Sequence, residues 1–281
     1  MRYPAGVFVT RFAPSPTGDL HRGHAFSALT AFAAARATGG RFILRIEDID
    51  TTRCRPQFEA GIYEDLAWLG VAWETPVRRQ SAQLDDYQAA LDRLQADGLL
   101  YRCFRTRKEV AAAVLSAPHG AMETFRGQPL PADEEARRLA AGEPFAWRLS
   151  LDAAARKLGG FGGLGFVEDG EGAIAARPQL GGDVVLARKD VGIAYHLAVT
   201  VDDALQGVTH VIRGRDLFEA THVQRLLQAL LGLPTPLYRH HALLVGPDGR
   251  RFAKRDRAET LRSLRERGMA GADLRKELGF G

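Results

Sequence analysis

The chain has few cysteines: only Cys54 and Cys103 occur among its 281 residues. Two thiols cannot build a disulfide framework in a chain of this length, and they cannot supply a four-cysteine zinc site. Long apolar runs are also missing, since none approaches the roughly 20 residues of a membrane span. The first residues lack the apolar core and small-residue cleavage site of a secretory signal. We therefore expect a cytoplasmic protein without a membrane segment.

Neither sign of charge dominates, because the chain has 38 Lys and Arg residues and 34 Asp and Glu residues. This small basic excess is compatible with a polyanionic partner, but it does not require one. Hydrophobic residues make up 46% of the chain, enough for one large domain or for a nucleotide-binding domain with an insertion. No internal repeat or low-complexity tract is present.

Residues 7–48 have the pattern of a β-loop-α-β unit. VFVTRF, Val7 to Phe12, is typical of a short buried strand, and turn-forming residues follow it. The segment from His21 to Gly40 is rich in Ala, Leu and Phe and ends in two glycines, which predicts a helix. Arg41 to Asp48 predicts a second strand. A helical crossover between the two strands favours parallel pairing.

Two amphipathic helices are predicted next. The first starts near Pro56, and the second covers residues 81–98 and ends at Gly98. In each helix the apolar residues recur at intervals of three and four. They are Phe58, Ile62, Leu66 and Leu69 in the first helix, and Leu84, Tyr87, Leu91 and Leu94 in the second.

The composition changes in residues 101–180, which contain a basic stretch, a predicted helix at 131–142, a strand-like segment at 145–151 and a glycine-rich segment at 159–166. We interpret this region as an insertion between two halves of a Rossmann-like domain, residues 1–100 and 181–245. Strands are predicted at 182–188, 194–204 and 209–214, followed by a helix from about Ala220 to Leu231. Residues 246–281 form a basic, partly helical tail.

The segment from Arg11 to His24 carries the first candidate site. His21 and His24 stand three residues apart at a predicted helix start, so they share one face, and Gly23 leaves room for a ligand near the backbone. A helix amino terminus after a strand favours bound anions such as nucleotide phosphates. The alternative is that His21 caps the helix and His24 is a partly buried histidine with satisfied hydrogen bonds.

Two motifs together resemble the class I glutamyl- and glutaminyl-tRNA synthetases. RFAPSPTG with HRGH and GGRFILRIEDID is similar to the signature region of this family, where HRGH stands for the "HIGH" motif. RFAKR, Arg251 to Arg255, resembles the "KMSKS" loop, with Lys254 as its lysine, about 230 residues later. The resemblance implies an α/β, class I aminoacyl-tRNA-synthetase Rossmann-like nucleotide-binding fold. Residues 246–281 would then hold the KMSKS-like loop and a short carboxy-terminal helical tail.

The resemblance also implies an activity. The α-carboxylate of L-glutamate would attack the α-phosphorus of ATP, giving glutamyl-adenylate and pyrophosphate. His21, His24 and Lys254 would be catalytic, because they can hold the phosphate charge as it redistributes, and Gly23 would join them in binding ATP. Mg²⁺ would bridge phosphate oxygens and therefore needs no all-protein metal cage.

Glutamate has two carboxylates and one ammonium, so its pocket needs cations at two places and an anion at one. The resemblance implies a set of glutamate-binding residues: Arg11, Ala13, Ser15, Glu47, Tyr195 and Arg213. Glu47 would pair with the α-ammonium. An arginine fork grips a carboxylate bidentately, which favours glutamate over glutamine. The alternative for Arg213 and Glu47 is a structural ion pair.

Within this family the chain most resembles the short glutamyl-queuosine tRNA(Asp) synthetases, through Gly181 to Leu217 and most of the chain outside 104–180. The chain ends about 25 residues after the Lys254 loop, so we expect no anticodon-binding domain. The implied acceptor is a queuosine hydroxyl in the anticodon stem-loop of tRNA(Asp). Arg102 to Lys108 and Arg250 to Arg267 would grip that loop, and we expect a monomer. The alternatives are charging of tRNA(Glu), a non-catalytic tRNA-binding paralogue, and a nucleotidyltransferase that makes a dinucleotide cofactor.

The chain departs from the family at a zinc motif. Short enzymes of this group often have C-x-C in the insertion, whereas here Arg105 stands two residues after Cys103. His119 with Cys103 alone cannot complete a tetrahedral site, so we predict no structural zinc. Cys54 is expected to be a plain, partly buried thiol. Ala253 replaces a serine that the family often has in the lysine loop.

Overall fold

The computed structural model describes residues 7–115, 124–188, 192–244 and 259–281. In these ranges the strands are β1 (Val9–Phe12), β2 (Arg41–Ile46), β3 (Glu74–Arg79), β4 (Leu100–Cys103), β5 (Ala146–Leu149), β6 (Gly165–Glu168), β7 (Gly172–Ala175), β8 (Val185–Arg188), β9 (Gly192–Ile193), β10 (His210–Gly214) and β11 (Leu237–His241). The helices are α1 (Arg22–Ala37), α2 (Pro56–Trp68), α3 (Leu84–Ala96), α4 (Arg107–Leu115), α5 (Ala132–Ala140), α6 (Leu151–Leu158), α7 (Tyr195–Leu205), α8 (Phe218–Leu231), α9 (Leu261–Glu266) and α10 (Gly271–Glu277).

Two mainly parallel sheets lie side by side. The first has the order β1-β2-β3, and the second has the order β10-β11-β6-β7. Thr209 joins them, because its N–H donates to the Val9 carbonyl at 2.9 Å and its Oγ1 accepts from the Val9 N–H at 2.8 Å. The expected β-loop-α-β unit is confirmed, since β1 and β2 are parallel and connected by α1.

The strand predicted at 194–204 is wrong, because Tyr195–Leu205 form α7 and Ala194 is its N-cap residue. The helix is buried on nearly every side, from Leu197 to Asp203, so its apolar run lacks the polar stripe that identifies a surface helix. Periodicity alone cannot separate such a buried helix from a buried strand. Asp202 and Asp203 are tolerated inside because arginines pair with them.

A third, antiparallel sheet has the order β4-β5-β8-β9. The β6–β7 hairpin, also from the 101–180 region, takes a different place: β6 pairs in parallel with β11, with Glu168 opposite Tyr238. A strand from the 101–180 region therefore extends the sheet that contains β10 and β11, whose last residues lie at the candidate site.

The last two helices pack against α2. Gly271 is needed there, because a Cβ at this position would lie 1.9 Å from the Trp68 carbonyl oxygen. Arg265 pairs with Asp65 at 3.0 Å, yet burial is the larger effect and raises the pKa of Asp65 to about 6. Arg262 and Arg267 also pair with carboxylates of the protein. These pairs engage tail arginines that we expected to contact RNA. The pairs of Arg262 and Arg265 fix the tail to the first half of the chain, whereas Arg267 pairs with Glu259 within the tail.

In the described part of the chain, no helix is both long enough and apolar enough to cross a membrane.

Candidate active site at the start of helix α1

The start of α1 holds two imidazole rings against each other. His21 is the N-cap residue, and its Nδ1 accepts a hydrogen bond from the Gly23 N–H at 3.1 Å. The Nδ1 of His24 accepts from the His21 N–H at 3.2 Å, and the ring centroids lie 3.9 Å apart. Because both Nδ1 atoms accept, the neutral form of each ring carries its proton on Nε2.

Gly23 is required by this capping geometry. A Cβ at Gly23 would lie 2.9 Å from Cε1 and 3.1 Å from Nδ1 of His21. The capping role that we considered as an alternative for His21 is therefore confirmed. Since the cap uses Nδ1, it does not exclude a ligand at Nε2.

One cavity of about 620 Å³ brings the predicted site residues together. This volume falls within the roughly 300–1,000 Å³ of small-molecule sites. We call it the first cavity. Nine predicted residues line it: Arg11, Ala13, Ser15, His21, Gly23, His24, Glu47, Tyr195 and Arg213. The tenth, Lys254, lies outside the described residues.

Arg213, at the end of β10, presents one unsatisfied arm of its guanidinium group. Its side chain is held by neutral partners: Nε donates to His240 at 3.1 Å, and Nη2 donates to Thr221 at 2.7 Å and Gln224 at 2.9 Å. Nη1 is buried and has no hydrogen-bond partner. Among the described residues Arg213 has no carboxylate partner, so the structural ion pair that we considered for it is not formed there.

Arg11 and Glu47 belong to a buried charge network. Asp203 accepts from Arg11 Nε at 3.1 Å and from Arg45 Nη1 at 2.8 Å. Arg45, which is fully buried, also reaches Glu47 at 3.3 Å. Burial raises the pKa of Glu47, and Arg45 and Arg11 only partly offset this effect. Glu47 therefore has a structural partner as well as a place in the cavity.

Sequence reasoning missed three residues of this region. Asp202 and Asp203 hold the arginines of the network in place, and the signal for them was two adjacent acids in an otherwise apolar segment. His241 lines the first cavity at the end of β11, with its Nε2 3.1 Å from Ser27 Oγ. The end of a parallel strand next to a helix start is where ligands bind in open α/β sheets.

A second cavity of about 940 Å³ adjoins the first and shares Ser15, Glu47 and Tyr195 with it. Its lining is rich in cationic and aromatic side chains. These are Arg53, Phe104, Arg105, Phe145, Arg148 and Arg188. Arginine and aromatic side chains in combination suit a nucleic-acid base and its phosphate.

Both cysteines are free thiols. Cys54 is partly buried, as expected, and burial raises its pKa. Cys103 is buried at the wall of the second cavity. The described ranges contain no group of three or more His, Cys, Asp or Glu residues arranged to hold a metal ion. His119 lies outside those ranges, so the absence of zinc stays a prediction.

Known proteins resemble the chain over nearly its whole length. A glutamyl-Q tRNA(Asp) synthetase from Rhodobacter capsulatus is 47% identical over 97% of this chain and 100% of that protein. Another, from Symbiobacterium thermophilum, is 43% identical over 92% of this chain and 81% of that protein.

Solved structures of glutamate-tRNA ligases also resemble the chain. A glutamate tRNA ligase from Elizabethkingia meningosepticum, crystallised with its amino acid, superposes with a TM-score of 0.72 at 28% identity. A glutamate-tRNA synthetase from Elizabethkingia anophelis gives 0.73 at 28% identity. Each match covers 89% of this chain, which spans about half of the solved chains, 52% and 53%.

The family model for tRNA synthetases class I (E and Q), catalytic domain, matches residues 7–276. The Rossmann-like fold that we expected is confirmed by this match and by the solved structures. The chain belongs to the class I tRNA synthetases of the E and Q group.

Proposed function

We propose that this protein activates L-glutamate with ATP and transfers the glutamyl group to queuosine in the anticodon of tRNA(Asp). The observation that carries the proposal is the first cavity, which is lined by Arg213, Glu47 and the two histidines at the start of α1, with Nη1 of Arg213 left without a partner. The relatives that are similar over nearly the whole chain carry the name of this activity.

The charges of the first cavity match those of glutamate. Arg213 offers a buried donor without a partner, which is costly unless an anionic ligand accepts from it. Arg11 supplies a second cation on the same wall, and Glu47 supplies an anion for the α-ammonium. Ala13, Ser15 and Tyr195 complete the wall around them. A neutral glutamine amide would leave the positive charge of Arg213 without a counter-ion.

Activation requires the charge on the ATP phosphates to be held while the bond to pyrophosphate breaks. The Nε2–H groups of His21 and His24, together with the amino terminus of α1, suit this role. Gly23 brings the backbone close to the phosphates. Lys254 would add a cation: it stands six residues before Thr260, which pairs with His21 across an isolated β-bridge. Mg²⁺ would enter bound to ATP, as this ion commonly does at phosphate sites.

Transfer uses the second cavity. Because it shares Ser15, Glu47 and Tyr195 with the first cavity, a nucleoside held there lies next to the adenylate carbonyl. A hydroxyl of the queuosine ring attacks this carbonyl carbon, the bond from that carbon to the phosphate oxygen breaks, and an ester forms while AMP and the hydroxyl proton are released. Phe104 and Phe145 offer stacking surfaces for the base.

Pyrophosphate exchange tests the activation step. Arg213→Met should lower kcat/KM for glutamate by roughly 10- to 100-fold, since a hydrogen bond to a charged group contributes about 1.5–3 kcal/mol. The matched control is Arg239→Met on β11, where the side chain is half exposed and lies 3.8 Å from Asp169. Equal exchange by both variants, or glutamine-dependent exchange as fast as that with glutamate, would contradict the proposal.

A further inference from the structure

Arg213, His240 and Glu168 form a buried row across three adjacent strands. Arg213 of β10 is opposite His240 of β11, and Glu168 ends β6 on the other side of β11. Both carboxylate oxygens of Glu168 contact His240: Oε1 accepts from the backbone N–H at 2.6 Å, and Oε2 lies 2.8 Å from Nδ1. The side chains of His240 and Glu168 are 0% and 2% exposed.

The donors in this row allow one tautomer of His240. Arginine has only donors, so the 3.1 Å contact from Arg213 Nε requires an unprotonated Nε2 on His240. The ring proton is then on Nδ1, where Glu168 accepts it. Burial, reinforced by Arg213 and other nearby cations, lowers the pKa of His240 to about 3, so the ring is neutral near pH 7.

This tautomer fixes the orientation of Arg213. The Nε–H is bound to His240, and Nη2 is bound to Thr221, Gln224 and the Leu217 carbonyl. The Cζ atom of Arg213 also lies over the ring of Tyr238, 5.7 Å from its centroid. The remaining donors are on Nη1, the buried atom without a partner. If Nε2 carried the ring proton, two N–H groups would face each other and the guanidinium would have to turn.

We propose that Glu168 and His240 are positioning residues that hold Arg213 with Nη1 directed at the carboxylate of the bound amino acid. The proposal rests on glutamate being the substrate of the first cavity. It gives the 101–180 region a part in amino-acid recognition, because Glu168 comes from that region. Neither residue lines the first cavity, so both act through Arg213.

Glu168→Gln tests the contact from Glu168 through His240 to Arg213, because glutamine has nearly the same shape as glutamate. An amide has one acceptor oxygen, so its NH₂ must face either the His240 backbone N–H or Nδ1. If the NH₂ group faces Nδ1, the ring proton of His240 must move to Nε2, where it points at the Nε–H of Arg213. The KM for glutamate in pyrophosphate exchange should rise roughly tenfold or more. The KM for ATP and kcat should change less than about twofold, which general loss of structure would not produce.

The matched control is Asp169→Asn, the neighbouring carboxylate, whose side chain is 68% exposed. It should leave the KM for glutamate unchanged. A Glu168→Gln variant that keeps the wild-type KM overturns the proposal.

A second measurement uses the wild-type protein, so it does not depend on whether a Glu168 variant folds. Nitrogen-15 NMR of the wild-type rings, with His240 assigned from His240→Gln, should show the proton of His240 on Nδ1. A proton on Nε2 overturns the proposal even if exchange is fast. A wild type without glutamate-dependent exchange contradicts the proposed function instead, and the NMR result still decides the tautomer.

Discussion

Asp203→Asn removes one negative charge from the centre of the buried network. Asp203 is 10% exposed and binds Arg11, while Arg45 beside it is fully buried. Breaking a buried ion pair by removing one partner costs about 3–5 kcal/mol, because the remaining charge is left uncompensated. Asparagine keeps one acceptor oxygen for the two guanidinium groups, so we expect the lower end, about 3 kcal/mol. For a chain of this size that lowers Tm by roughly 6 °C.

The effect of Asp203→Asn should depend on pH in one direction. Burial raises the pKa of Asp203, but Arg11 and Arg45 outweigh burial, and its pKa is lowered. A carboxyl with a lowered folded-state pKa stabilises the protein above its unfolded-state value of about 3.9. That stabilisation is lost as pH falls through the folded-state value. The difference in Tm between wild type and variant should therefore be constant from pH 8 to about pH 5 and should shrink in stronger acid.

Scanning calorimetry of wild type, Asp203→Asn and the exposed control Asp92→Asn measures these differences. Asp92 is exposed and accepts a hydrogen bond from Gln88, which asparagine can also accept. The control should stay within about 0.5 kcal/mol of wild type. An Asp203→Asn protein as stable as this control at pH 7 would refute the network as a source of stability.

Three further results are expected. Lys254→Ala should slow glutamate-dependent pyrophosphate exchange by about 10²-fold or more in a folded protein, as loss of one charge-stabilising group does, and near-normal exchange removes Lys254 from the mechanism. Gly23→Ala should raise the KM for ATP, because its Cβ would displace the His21 ring, and an unchanged KM contradicts that geometry. Elemental analysis should find no stoichiometric zinc, and a strong chelator should leave Tm unchanged, because Arg105 stands where a second cysteine would be needed.

Local signals in the sequence predicted much of the fold. The first unit, from β1 to β2, follows from short-range patterns of turns, glycines and apolar residues, and so does α2 with Pro56 at its start. α7 was assigned wrongly because burial on all sides removes the helical period. The stability of that helix depends on partners that are distant in sequence, such as Arg78 with Asp202.

The candidate site also contains residues that the sequence predicted and residues that it did not. Its lining residues were predicted because they stand in compact motifs, such as HRGH, whose spacing fixes their shared face. The residues behind them were not predicted. Glu168 and His240 meet only through the register of β6 against β11, and a register between distant strands is set by tertiary packing.

The central claim is glutamyl transfer to queuosine, and one experiment tests it most directly. The protein is incubated with ATP, labelled glutamate and tRNA(Asp) that carries or lacks queuosine, and the nuclease fragments are analysed by mass spectrometry. We predict a glutamyl group on the anticodon fragment of the queuosine-bearing tRNA and none on the other. Equal labelling of both tRNAs, or a glutamyl group on the 3′-terminal adenosine, would contradict the account.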